Sequence, residues 1–119
     1  MLENKVLIVG GGHAGVEAAF ALSRMQVKSI LISLDKEAIG RLSCNPAIGG
    51  LAKSQLVKEI DALGGIMGRA SDQCSLQFKT LNKTKGRAVW ATRAQVDKKK
   101  YPLYISGLIN KNKYIEIVE

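Results

Sequence analysis

An α/β fold with a parallel sheet, helices on both faces and a small antiparallel insertion is predicted by three observations. Short apolar runs alternate with stretches of helical period in the order β-α-β-loop-α-ββ-α-β. A glycine cluster, Gly10-Gly11-Gly12-His13-Ala14-Gly15, lies between the first apolar run and the first helical stretch. The alternation is interrupted by one pair of strands joined through the polar turn Asn82-Lys83-Thr84-Lys85-Gly86.

The elements follow in order. Val6-Leu7-Ile8-Val9 is a short apolar strand, and the helix after it runs from about His13 to Met25. Ala14, Ala18, Ala21, Leu22 and Met25 recur on it at helical spacing, and Ala19 suits close helix–strand contact. Gln26 falls where the helix end favours a left-handed residue, a position more comfortable for glycine. Ser29-Ile30-Leu31-Ile32-Ser33 is the second strand, completing a βαβ unit. Leu34 to Gly50 is long for a strand-to-helix connection, and Asn45, Pro46 and the Gly49-Gly50 pair make a turn near its end. A helix is expected over Leu51–Leu63, with Leu56, Ile60 and Leu63 on one face and Gly64-Gly65 as its stop. Cys74, Leu76 and Phe78 alternate with polar residues as a half-buried strand, and Ala88-Val89-Trp90 is the return strand. A helix is expected from about Arg93, kinked or broken near Lys100 because Pro102 lacks an N–H. Tyr114–Val118 alternates and is β-branched, hence a closing strand.

Gly10, Gly12 and Gly15 fit the G-x-G-x-x-G dinucleotide fingerprint, so the fold expected is Rossmann-like. Gly10 allows the sharp exit from the strand, Gly12 the approach of a pyrophosphate, and Gly15 the close packing of helix on strand. The helix N-terminus then directs its N–H groups and positive dipole end at the phosphates. His13 stands beside that position and is read as part of the loop architecture. The acidic residue expected for the ribose hydroxyls is Asp35 or Glu37. Ser43–Gly50 forms a second glycine-bearing loop feeding a helix, and two such ends could grip one extended, multiply charged ligand.

Length and composition set bounds. The 119 residues suffice for one domain. No apolar run approaches the ~20 residues of a membrane span, and Met1-Leu2-Glu3-Asn4 lacks the basic start of a signal peptide. Two cysteines, Cys44 and Cys74, are too few for a disulfide scaffold, and no metal site is expected. The net charge of +8 is compatible with a nucleic-acid partner and equally with lysine-rich faces that keep the domain soluble.

GGGHAG at Gly10–Gly15, SCNPAIGG at Ser43–Gly50, LVKEIDALGG at Leu56–Gly65 and TRAQ at Thr92–Gln95 together closely resemble the N-terminal end of the GidA/MnmG flavoproteins. These enzymes modify the wobble uridine of certain tRNAs. The resemblance implies FAD, with its pyrophosphate on Gly10, Gly11, Gly12, His13, Ala14 and Gly15. Further contacts would come from Asn45, Pro46, Gly49 and Gly50 and from Arg93 and Gln95. It implies that reduced flavin, a folate-borne one-carbon unit and an amine donor build an aminomethyl-type group on C5 of the uridine, with NADH as reductant. It implies tRNA, a second copy of the chain and an MnmE-type GTPase as partners, in a bacterial cytoplasm or a mitochondrial matrix. Lys79, Lys83, Lys85 and Arg87 around the polar turn are the candidates for tRNA phosphates. Cys44, in the loop that would edge the flavin, is the candidate catalytic thiol.

The chain departs from the family pattern at Gln26, at Ser54-Gln55, at Arg87, at Lys98-Lys99-Lys100 and at Pro102. It is also several times shorter than the family's members, so residues 1–119 are expected to be an incomplete FAD-binding domain, inactive by itself. A catalytically inert nucleotide-binding remnant, or another FAD-dependent oxidoreductase, is the alternative. A flavin disulfide reductase is set aside, because Cys44 and Cys74 form no Cys-x-x-Cys.

Overall fold

The computed structural model describes residues 4–119; Met1–Glu3, on which the leader reading partly rests, lie outside them. In chain order the elements are β1 (Lys5–Val9), α1 (His13–Arg24), β2 (Lys28–Ile32), β3 (Ala47–Gly49), α2 (Ser54–Ala62), α3 (Met67–Cys74), β4 (Ser75–Leu81), β5 (Ala91–Val96), α4 (Lys100–Asn110) and β6 (Ile115–Val118). The alternating α/β order and the parallel sheet are as predicted. The chain divides into two compact units, one of residues up to Arg41 together with Pro102–Glu119, the other Leu42–Tyr101.

The first unit carries a parallel sheet in the order β1-β2-β6. Register runs from Lys5↔Lys28 to Val9↔Ile32 on one side and from Ser29↔Ile115 to Ile32↔Val118 on the other. The central strand β2 buries Ile30 and Leu31, as the continuous apolar run of a parallel strand requires. Helix α1 buries Val16 and Ala19, so its packed face is rotated from the Ala14, Ala18, Met25 stripe; those three side chains are exposed. The small Ala19 is what permits the approach. Both sheet edges are strands with exposed apolar residues, and β1 more so, with Val9 84% exposed.

Helix α1 ends in a Schellman turn: Val27 N donates to Leu22 O and Gln26 N to Ser23 O. Gln26 takes φ +60° there, the left-handed geometry expected of a glycine position. Helix α2 ends the same way, through Gly65 N to Ile60 O and Gly64 N to Asp61 O, with Gly64 at φ +85°.

The second unit is an antiparallel sheet in the order β3-β5-β4, and several expectations change here. The loop before α2 contains strand β3, three residues too short to leave a period in the sequence, recruited by pairing with β5. Helix α2 begins at Ser54, not Leu51, because Ala52 sits at φ +56°. Its supposed core face is open, with Leu56 57% and Leu63 80% exposed. MGRASDQC forms helix α3, so Cys74 closes a helix and is buried there rather than facing inward from a strand. Glycine and the short polar side chains give that segment weak intrinsic helix propensity, and packing decides it. Arg87–Val89 is a 3-10 turn, not a return strand.

The TRAQ segment lies on strand β5, not on a helix. As the middle strand, β5 satisfies its backbone groups on both sides, an outcome set by partners distant in sequence. Helix α4 therefore starts at Lys100, with Asp97 Oδ1 accepting from Lys99 N and Lys100 N at 2.8 and 2.9 Å. Pro102 falls in the first turn and α4 continues past it to Asn110, since N–H groups in the first turn have no partner within the helix. Tyr101, Ile105 and Ile109 form its buried stripe.

Candidate functional site

The glycine loop of the first unit is built by β1, α1 and the segment after β2. Gly10 N donates to Ile32 O at 2.8 Å, which ties the exit of β1 to the end of β2, and Gly10 turns the chain at φ +108°. Gly40 N donates to Gly11 O at 2.8 Å. A Cβ on Gly11 would lie 2.7 Å from Ile39 Cγ1 and 3.1 Å from Ser33 Oγ. The segment after Ser33 thus closes over the loop, at the carboxyl ends of the strands where a ligand is expected.

The three fingerprint glycines differ in what demands them. A Cβ on Gly15 would collide with the carbonyl oxygen of Gly10 and touch Ile8 Cγ2 at 3.4 Å, so Gly15 serves helix–strand packing. Gly12 is the N-cap of α1 in ordinary extended geometry, φ −73° and ψ −175°. A Cβ there meets nothing within 4 Å. Nothing in the fold requires glycine at Gly12, and the space before α1 is open there. No side chain caps α1, and its first turn holds no acidic residue, so no carboxylate of that turn meets the electropositive end of the helix.

His13, half-buried, is held below the ordinary histidine value by burial, against the Glu17 carboxylate that raises it. Asp35, exposed, uses its carboxylate to cap a short turn, accepting from Glu37 N at 2.8 Å. Glu37 instead lines a cavity of about 450 Å³ with Lys36, Leu103, Ser106 and Ile117.

In the second unit, β3 and β5 bring together residues that are more than forty positions apart. Gly49 pairs with Arg93, and Ala47 with Gln95. Val96 N donates to Pro46 O at 2.8 Å and Gly50 N to Thr92 O at 2.9 Å. Gly49 has an internal reason to be glycine: at φ +85° its Cβ would lie 2.5 Å from Thr92 O. Gly50 opens the turn into α2, its carbonyl accepting from Ser54 N at 3.0 Å. Asn45 and Cys44 are exposed on the loop before β3. Cys44 lies ten positions before Ser54, the first residue of α2, so the helix does not follow directly on its loop. Arg93 and Gln95, two apart on one strand, share a face, and both are exposed.

A feature not foreseen from the sequence lies on the opposite face of this sheet. A cavity of about 200 Å³ is lined by Ile48, Val57, Asp61, Ser71, Phe78 and Ala94, among others. The alternation of Thr92 and Ala94 against Arg93 and Gln95 is its trace in the sequence.

A family model described as "Glucose inhibited division protein A" matches residues 5–119. The tRNA uridine 5-carboxymethylaminomethyl modification enzyme MnmG of Wolinella succinogenes is 57% identical over 108 residues, 91% of this chain and 17% of that protein. The enzyme of the same name from Aquifex aeolicus is 53% identical over 116 residues, 96% of this chain and 19% of that protein. The crystal structure of Aquifex aeolicus GidA in its form II crystal superposes with a TM-score of 0.91 at 51% identity, covering 96% of this chain and 19% of that one. The p-nitrophenol 4-monooxygenase PnpA of Pseudomonas putida shares the fold alone, with a TM-score of 0.60 at 14% identity. The chain spans less than a fifth of the length of the relatives it matches.

Proposed function

The chain belongs to the glucose inhibited division protein A family, and on that premise we propose that residues 1–119 are the FAD-binding N-terminal part of a tRNA-modifying enzyme. In this reading the complete enzyme builds a (carboxymethyl)aminomethyl group on C5 of the wobble uridine. Reduced flavin and a folate one-carbon unit supply the chemistry, NADH the electrons, and a second copy and an MnmE-type GTPase complete the assembly. A cytoplasmic setting goes with the bacterial relatives. The observation that supports the cofactor is the open space at Gly12, in front of an uncapped helix N-terminus.

The residues fit a dinucleotide. The N–H groups opening α1 would hold the pyrophosphate, Gly12 would admit it, and Gly15 would keep the helix close enough to aim them. FAD, when bound, would supply the reversible two-electron redox chemistry. Cys44 is exposed and is the candidate nucleophile toward the base.

By itself the chain offers only the pyrophosphate end of the site, so its affinity for FAD is expected to be weaker than micromolar. Fluorescence-quenching titration with FAD tests this, with Gly12→Val as the variant that fills the open space. Saturable, weak quenching lost in Gly12→Val supports the reading. Undiminished flavin binding in that variant refutes the loop's role, and micromolar or tighter binding by the parent chain refutes its being only part of a site.

A further inference from the structure

The surplus positive charge of this chain is not spread over its surface. Residues 75–101 hold eight Lys and Arg against Asp97 alone, +7 of the whole-chain +8. The rest of the chain is close to neutral. Lysines kept merely for solubility have no reason to gather on one ribbon.

The ladder between β4 and β5 shows how that charge is displayed. Lys79 stands directly opposite Arg93, and like charges at such a cross-strand position oppose sheet formation. Both are exposed, and no ion pair among the described residues reaches either. Gln77 is opposite Gln95 on the same face, so the cations are flanked by amides able to donate and accept. At one end of the ribbon the turn presents Lys83, Lys85 and Arg87, all exposed. That turn is held in shape by Trp90 Nε1 donating to Lys85 O at 3.1 Å and by Arg87 lying 5.7 Å over the Trp90 ring. At the other end Lys98–Lys100 lead into helix α4, where positive charge opposes the helix dipole. The Asp97 carboxylate is the acidic group there. It is held below the usual carboxylate range by the N–H groups of Lys100 and Lys99 it accepts from. Repulsive placements in the middle and at the base of one ribbon are both relieved by a polyanion.

We propose that the β4–β5 ribbon, from its turn through the Lys79–Arg93 pair to Lys98–Lys100, docks the sugar–phosphate backbone of a structured RNA. The proposal rests on the tRNA reading above and places that partner on this chain. The ribbon is about 20 Å long at the usual rise per residue, enough to meet several successive phosphates. Cations set its affinity and register, and the amides reach sugar hydroxyls and base edges.

The test is binding of the full chain to an unmodified tRNA transcript, followed by fluorescence anisotropy across a salt series. The ribbon variant is Lys79→Ala/Lys83→Ala/Lys85→Ala, and the control is Lys28→Ala/Lys111→Ala/Lys113→Ala. Each lost phosphate contact should make the slope of log K against log salt shallower by about 0.7–0.9, so the ribbon variant should lose about 2–2.7 and the control almost nothing. Equal flattening by both variants, with the parent still binding steeply, overturns the ribbon and leaves the tRNA reading standing. A parent chain that binds no tRNA even at low salt overturns the ribbon as a docking surface, and wobble-uridine modification by the complete enzyme then decides the tRNA reading separately. Preference for anionic lipid vesicles over tRNA through the same lysines assigns the ribbon to a membrane and also overturns the proposal.

Discussion

Gly12 and Gly15 belong to the same fingerprint, yet substituting them should move stability in opposite directions. At Gly15 an added Cβ strikes the Gly10 carbonyl. That oxygen belongs to a residue anchored at φ +108° with its N–H bonded to Ile32 O at 2.8 Å, so the helix must give way instead. Overpacking of this kind costs about 1–3 kcal/mol, and Gly15→Ala should therefore lower Tm by about 4–15 °C in a chain of this size. At Gly12 a side chain meets nothing within 4 Å. Aspartate there would cap an uncapped helix for a few tenths of a kcal/mol and meet its dipole for about 0.3–1 more. Gly12→Asp should raise Tm by about 2–6 °C. The flavin response should invert this order. At about ten times Kd, FAD should stabilise the parent by about 1.4 kcal/mol and leave Gly12→Asp unmoved, because its carboxylate occupies and repels the phosphate position. Thermal melts by circular dichroism, with and without FAD, read both effects. If Gly12→Asp melts as low as Gly15→Ala, glycine at position 12 answers an internal demand and the reasoning fails. A full FAD shift in Gly12→Asp refutes the anion site.

Other outcomes follow from the same coordinates. Gln26→Gly should stabilise the chain by about 1 kcal/mol, because Gln26 holds a left-handed φ of +60° at a helix end; a lower Tm would show that its side chain makes up for the strain. Asp97 has its carboxyl lowered from the ordinary value of 3.8 by the backbone N–H groups of Lys100 and Lys99. Its contribution is therefore fully present above about pH 3.8 and lost as pH falls through the lower folded value. Asp97→Asn, which keeps the cap without the charge, should flatten the acid limb of Tm against pH while changing little at pH 7; an unaltered acid limb would contradict this. Cys44 is exposed and Cys74 buried, the latter with its thiol pushed up by desolvation. A thiol reagent should thus show one fast and one slow phase, with Cys44→Ser removing the fast one. In the complete enzyme Cys44→Ser should abolish tRNA modification yet retain FAD, and full activity would rule out the catalytic role.

What could be read without the structure is what is decided over a few neighbouring residues. The strand, glycine turn and helix from Lys5 to Arg24, the return strand β2 and the helix stop at Gly64-Gly65 all follow from local backbone requirements. So does the strain at Gln26, visible because the end of α1 calls for a left-handed residue. The concentration of charge between Ser75 and Tyr101 is likewise plain in the chain. The antiparallel sheet is different. Ala47–Gly49 is a strand only because β5 pairs with it, and Thr92–Gln95 is a strand rather than a helix because β3 and β4 satisfy it from both sides. Cys74 left its predicted strand because packing, not propensity, forms α3. The fingerprint spacing already separates Gly15, read as a packing glycine, from Gly12, read as room for a ligand. The demand on Gly49 was beyond the sequence, because the Thr92 carbonyl its Cβ would strike is brought there by the pairing of β3 with β5. The same holds for the cations: their number is a property of the sequence, but the opposition of Lys79 and Arg93 comes from a ladder register that residues distant along the chain set together.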